Sequence, residues 1–280
     1  MTVPTATNGG SAGVAPPTVY FLSDYGRRDE FVGVVHAVLR RLVPVAVVVD
    51  LTHDVPPFDV RAGSEALCRT VPFLGPGVVL GVVDPGVGGG RRGLVIECAG
   101  PLRFVGPDNG LLVPAAELAG GIARAVELDV GPEAAPTFDG RDVFAPAVAA
   151  LCGGAPVAEL GAAVPEDELV RVPAPVCEMG RTADGRRSIR AEVTWVDHFG
   201  NVQLAVPADA LPDSVREVAA TPGASPAPAT VPRVRTFADL AAGDVGLLAD
   251  ANDRLALVVR EGSAALRLGV GTGDLVVLTW

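Results

Sequence analysis

Four short apolar runs, Thr18 to Ser23, Val45 to Leu51, Gly77 to Val83 and Gly93 to Cys98, are set along the N-terminal part of the chain, and the intervals between the first three change to helical spacing. From Asp29, the residues Phe31, Val34, Val35, Val38, Leu39 and Leu42 recur as they would on one helix face, and Pro44 ends the pattern. Asp59 opens a second helix reaching toward Val71. Strand–helix alternation of this kind builds right-handed βαβ units, and few other folds accept it. The valine-dense run Val45 to Leu51 predicts a central strand covered on both faces. A further helix is expected after Gly140, with Val143, Phe144, Ala147, Val148 and Leu151 facing inward.

Near Pro165 the character changes. Beyond that point the strand signals are Ser188 to Val196, Val202 to Val206, Arg254 to Val259 and Leu275 to Trp280, with the Pro- and Ala-rich stretch Thr221 to Pro232 read as a surface loop. The expected architecture is an α/β N-terminal domain over 18–170 with a largely parallel, Rossmann-like central sheet. A linker over 171–187 leads to a smaller antiparallel β-barrel domain over 188–280. Residues 1–17 are expected to be a disordered tail, since they lack the basic start and apolar core of a signal peptide.

Charge excludes several functions. The net charge is −11 and all 22 basic residues are arginine, so neither nucleic acid nor an anionic membrane is an expected partner. The absence of lysine removes Schiff-base chemistry and the phosphate-binding-loop lysine. No apolar run approaches the ~18 residues of a membrane span. Cys68, Cys98, Cys152 and Cys177 are widely spaced and read as reduced core thiols, which favours a cytoplasmic location. His36, His53 and His198 have no metal-ligand spacing, so no metal is expected, and His36 reads as a core or boundary histidine.

Ligands of open α/β sheets bind beyond the carboxyl ends of the strands, where this chain has Asp24, His53 with Asp54, and Asp84. A crevice ringed by these groups attracts a cation. No G-x-G-x-x-G turn follows the first strand, which argues against a nicotinamide cofactor. The loop Asp84-Pro85-Gly86-Val87-Gly88-Gly89-Gly90-Arg91-Arg92 has four glycines that allow close backbone approach to a ligand, or it is a tight turn with solvated arginines. Two other polar blocks are Thr137-Phe138-Asp139-Gly140-Arg141-Asp142, whose acids would serve equally as helix caps, and Asp197-His198-Phe199-Gly200-Asn201, which would serve equally as a β-turn.

Together with Ser23-Asp24-Tyr25-Gly26, Leu51-Thr52-His53-Asp54-Val55 and Pro107-Asp108-Asn109-Gly110-Leu111, these blocks resemble, in the right order, the S-adenosylmethionine hydroxide adenosyltransferase family, related to fluorinase and chlorinase. The resemblance implies attack of water or hydroxide at C5′ of S-adenosylmethionine, with methionine leaving and no cofactor. Asp84 stands where the halogenases carry a tyrosine, and Gly140 where the fluorinase has its halide-binding serine. The family's catalytic Asp, Arg and His map to Asp84, Arg91 and Asp139, so an aspartate replaces the histidine. Substrate contacts are implied at Asp24, Phe58, Asp108, Asn109, Gly140, Asp197, Phe199, Asn201 and Arg260. The resemblance also implies a homotrimer with the substrate at the subunit interface.

Overall fold

The computed structural model describes residues 15–223 and 228–280, so most of the expected N-terminal tail and the middle of the Thr221–Pro232 loop lie outside the described residues. The chain divides into two compact units, one ending at Arg171 and the other beginning at Val172.

The first unit is a seven-stranded sheet. Its strands are β1 (Thr18–Ser23), β2 (Val47–Thr52), β3 (Gly77–Val82), β4 (Gly93–Cys98), β5 (Leu102–Pro107), β6 (Ile122–Leu128) and β7 (Gly161–Ala163), in the order β2-β1-β3-β5-β4-β6-β7. β1 runs parallel to β2 and β3, and β3 parallel to β5, but β4, β6 and β7 pair antiparallel. The sheet is therefore mixed, in place of the largely parallel one expected. The reason is the short β4–β5 connection, which leaves no length for a crossover helix and forces a hairpin.

Helices α1 (Phe31–Leu42), α2 (Val60–Thr70), α3 (Val113–Leu118) and α4 (Ala145–Cys152) cover both faces. Phe21 and Leu22, adjacent in β1, point to opposite sides as strand alternation requires. Phe21 joins Val35 and Leu39 of α1 and Val148 of α4, while Leu22 joins Leu67 of α2 and Ala115 and Ala116 of α3. α2 begins where Asp59 accepts a bond from the Ala62 amide at 2.9 Å. The helix expected after Gly140 opens as a π-helical turn, Gly140–Phe144, before α4.

β2 departs from expectation. It is an edge strand, paired with β1 alone among the described strands, and Val47 and Val49 are exposed instead of buried on both faces. The cysteines also differ: Cys98 is buried, Cys68 and Cys152 are partly so, and Cys177 is exposed.

The second unit is antiparallel throughout its ladders. It contains β8 (Cys177–Arg181), β9 (Arg187–Val196), β10 (Val202–Pro207), β11 (Glu217–Pro222), β12 (Ala229–Pro232), β13 (Val245–Ala249), β14 (Arg254–Val259) and β15 (Leu275–Thr279), with a short helix α5 (Ala264–Leu268). The order is β12-β11-β15-β9-β10-β14-β13, and β8 pairs with β9. The stretch expected as a linker thus carries a strand, and the ends of the expected loop are β11 and β12. Arg233 bridges to Leu247, bringing the β12 end back to β13, so the sheet is a nearly closed barrel around Ile189, Leu204, Leu247, Leu257 and Val276.

Candidate active site

Parallel register sets the site. Ser23 of β1 lies opposite Val82 of β3, so the chain leaves both strands at the same level and places Asp24 and Asp84 around one crevice. Asp139 arrives from the turn before α4, and the three line a cavity of about 250 Å3 with Tyr25, Phe31, Phe58, Phe138 and Gly140. Asp54 and His53 do not join them: Asp54 is exposed and faces Arg27 at 3.5 Å, and the His53 side chain is buried elsewhere.

Arg91 ties the two inner carboxylates. Its Nε donates to both oxygens of Asp84 at 3.0 Å, and its Nη2 donates to Asp84 Oδ2 and to Asp139 Oδ2. The three side chains are between 6% and 12% exposed, so their charges act with little water between them. Burial works against the charge on Arg91, yet its bonds to Asp84 and Asp139 outweigh that and hold the guanidinium above its ordinary pKa. Arg91 also packs over the Phe144 ring at 5.4 Å. The neighbouring Arg92 serves a different purpose, pairing with Asp108 at 2.7 Å and with Glu168.

The glycines of the loop differ in what they face: Gly90 borders open space, Gly86 and Gly89 meet other residues of the loop, and Gly88 abuts a separate segment. Gly88 has φ +72°, and a Cβ there would stand 2.2 Å from the Pro136 carbonyl oxygen, so the loop lies directly on the segment leading to Asp139. Asp24 accepts the Phe58 amide at 2.9 Å and fixes Phe58 at φ 69°, an uncommon conformation for a bulky residue, with the ring exposed beside the cavity. Burial raises the Asp24 carboxyl above its usual pKa, and the charge of Asp84 adds to the rise against the Phe58 bond. The Tyr25 phenol is pushed up, first by burial and then by the charges of Asp24, Asp84 and Asp139, and so keeps its proton. It sits edge-on to Phe138 at 5.8 Å and near Phe31 at 5.7 Å. Nothing in the spacing of these aromatics marked them in the sequence as one wall, because Phe138 lies more than a hundred residues from Tyr25 and Phe31.

Asp108 and Asn109 are not brought to the cavity. Asp108 is buried and accepts from Arg92 and from the Val170 amide at 2.9 Å, and Asn109 donates to the Val83 carbonyl and accepts from Leu111. Asp142 takes the Ala135 amide at 3.0 Å and a two-point bond from Arg141, tying the preceding segment to the first helical turn, while the N-cap residue Asp139 makes no side-chain cap bond.

The second unit has its own cavity, of about 560 Å3. Asp197 closes the turn between β9 and β10 by accepting the Phe199 and Asn201 amides at 2.9 Å and the Asn201 side chain at 2.8 Å, which leaves Phe199 standing into solvent. Trp195, Phe237 and Asp250 line the same space and were not anticipated. Arg260 lies outside this lining and donates to the Leu240 carbonyl at 2.8 Å.

A carboxylate clamped by a guanidinium beside an aromatic cavity can orient a water and take its proton. Comparison with known proteins agrees in kind. Residues 19–161 match the SAM hydroxide adenosyltransferase N-terminal domain, and residues 191–277 match its C-terminal domain. The chain is 45% identical over 270 residues to the (R)-S-adenosyl-L-methionine hydrolase of Salinispora tropica, covering 94% of this chain and 98% of the relative. A fluorinase from an Actinoplanes species is more distant, at 27% identity over 66% of this chain and 70% of its own. The crystal structure of an uncharacterized conserved protein from Thermotoga maritima superposes with a TM-score of 0.82 at 32% identity, covering 94% of this chain and all of that one.

Proposed function

The chain belongs to the SAM hydroxide adenosyltransferase family, and from that premise we propose that it hydrolyses S-adenosyl-L-methionine to adenosine and L-methionine. The observation that carries the reading is the Asp84–Arg91–Asp139 cluster facing the aromatic cavity.

In this reaction a water oxygen forms a bond to C5′ as the C5′–S bond breaks. The electron pair goes to sulfur, which leaves as a neutral thioether, and the water's proton passes to Asp84. The leaving group needs no acid and no cofactor, so the enzyme's task is to hold the nucleophile in line and away from bulk water. Arg91 fixes the Asp84 carboxylate and, through Asp139, its own position. Asp24, Asp84 and Asp139 against a single guanidinium give the cavity an acidic balance suited to a sulfonium. Asp24 and Phe58 are assigned to the ribose end. Asp197, Asn201 and the exposed Phe199 ring are assigned to the methionine and adenine ends, in a homotrimer where each substrate meets residues of two subunits. Light scattering on the purified chain tests the trimer. A cytoplasmic location goes with this reading, and no described helix is long and apolar enough to cross a membrane.

Adenosine release, followed by chromatography, is the test. Wild type is expected to produce adenosine, and Asp84→Ala to lose roughly 10²–10⁴-fold of the rate, the worth of a positioned base. No adenosine from wild type overturns the hydrolase. The direct Asp139–Arg91 bond, where the family has a histidine, favours one second reading, a catalytically weak binder of the same ligand. For that reading, calorimetry would find S-adenosylmethionine bound and intact, and Asp139→His would restore turnover. A halogenase is disfavoured by Asp84 and Gly140.

A further inference from the structure

Beside the end of β1, three side chains converge. His36 projects from α1, Asp50 from β2, and His53 follows β2 directly. Their ligand atoms all lie within 4.8 Å of one another. His36 Nε2 is 2.8 Å from Asp50 Oδ1, and His53 Nε2 is 3.1 Å from the same oxygen.

His53 is the unusual member. It is 1% exposed, its ring packs on Phe21 at 4.6 Å, and its Nδ1 lies 2.8 Å from the buried Ser23 Oγ. That bond fixes the ring and leaves the fully buried Nε2 3.1 Å from Asp50 Oδ1, close to the carboxylate yet without the alignment of a hydrogen bond. A buried polar atom without an aligned hydrogen bond is costly unless something satisfies it. A cation among the three groups would do so.

We propose that His36, Asp50 and His53 form a binding site for a divalent transition-metal ion, with zinc the best match. Two imidazoles and one carboxylate are a borderline donor set that zinc takes readily, whereas calcium and magnesium prefer all-oxygen shells. The Ser23–His53 contact is the outer-shell support that metal-bound imidazoles usually have. His36 and Asp50 are each about one-third exposed, so an ion can enter and a fourth position stays open to water. None of the three lines the cavity of Asp84 and Asp139, so the site is separate from the proposed reaction and does not rest on it. The spacing of the histidines hid it, because α1 and β2 meet only in the folded sheet.

Untagged, chelator-stripped full-length protein is titrated with zinc chloride by calorimetry and with cobalt chloride by visible absorption. Wild type is expected to bind one ion per chain, with a cobalt spectrum of low, near-tetrahedral coordination. Ser23→Ala should weaken zinc by about 10–100-fold, the usual effect of losing outer-shell support, and His36→Ala by at least as much. His36 is partly exposed, so His36→Ala is expected to fold, which circular dichroism checks. His53→Gln should also lose the ion, with the same check. If wild type takes up no zinc, or holds it no more tightly than His36→Ala, the three groups are a hydrogen-bonded cluster only and the proposal fails.

Discussion

Gly140 has no room for a side chain: a Cβ added there would stand 2.1 Å from the Tyr25 hydroxyl, and Tyr25 is hemmed in by Phe31 and Phe138. Gly140→Ser is therefore expected to cost about 1–3 kcal/mol as an overpacked site and to lower adenosine release. Adding Tyr25→Phe should recover part of both losses, because removing the hydroxyl relieves the contact. Melting curves and rates for the two single variants and the double variant check this, and strictly additive losses would show that the side chains do not meet. Legibility at this scale was uneven. Asp24 and Asp84 stood out because they end strands, whereas Arg91 was distinguished from Arg92 only by the family resemblance. Asp108 and Asn109 read only as a turn until the resemblance brought them forward, and their polar atoms hold strand ends and loops together. A motif records that a polar residue is needed and not whether protein or ligand receives its bonds. Tyr25 and Gly140 meet across more than a hundred residues of chain, and no local pattern could announce that.

The π-helical turn before α4 illustrates how an element's entry is stabilised by charge. Bonds from Arg141 hold the Asp142 carboxyl below its ordinary value, opposed by partial burial and aided by the Ala135 amide. A carboxyl with a depressed folded pKa adds stability above its unfolded value, about 3.9, and loses that contribution as the pH falls through the folded value. Asp142→Asn is thus expected to melt below wild type at neutral pH, with the gap closing as the solution is acidified below about pH 3.9. Melting temperatures taken across that range check the sign, and a gap that stays constant into acid contradicts it. Apolar patterning revealed β1, β3 and β4 as continuous runs, and α1 by a buried face that repeats. It misjudged β2, since a valine-rich edge strand and a valine-rich central strand read alike until the neighbour is known. It passed over β5, where Arg103, Gly106 and Pro107 interrupt the apolar run, and β11 and β12, whose alanines, threonines and prolines resemble a loop.

Each unit has a core of its own, two clusters flanking the mixed sheet and one filling the barrel. Expressed separately, residues 1–171 and 172–280 are each expected to melt cooperatively, and because substrate contacts are proposed on both, neither alone should release adenosine. A fragment that stays unfolded would show that its core depends on the other unit. The two-part organisation was legible from the change of composition near Pro165, whereas the antiparallel half of the first sheet was not, because strand direction depends on connections and leaves no mark on the strand itself. The barrel's seam has a consequence in time. Along every other ladder an amide is released only when a neighbouring strand peels away, but between β12 and β13 the ring is held by the Arg233–Leu247 bridge and the Val234–Leu247 bond. Deuterium should enter the barrel there first, with β12 and β13 exchanging ahead of β9 and β10 under native conditions, so that the seam sets the rhythm at which this half of the protein breathes.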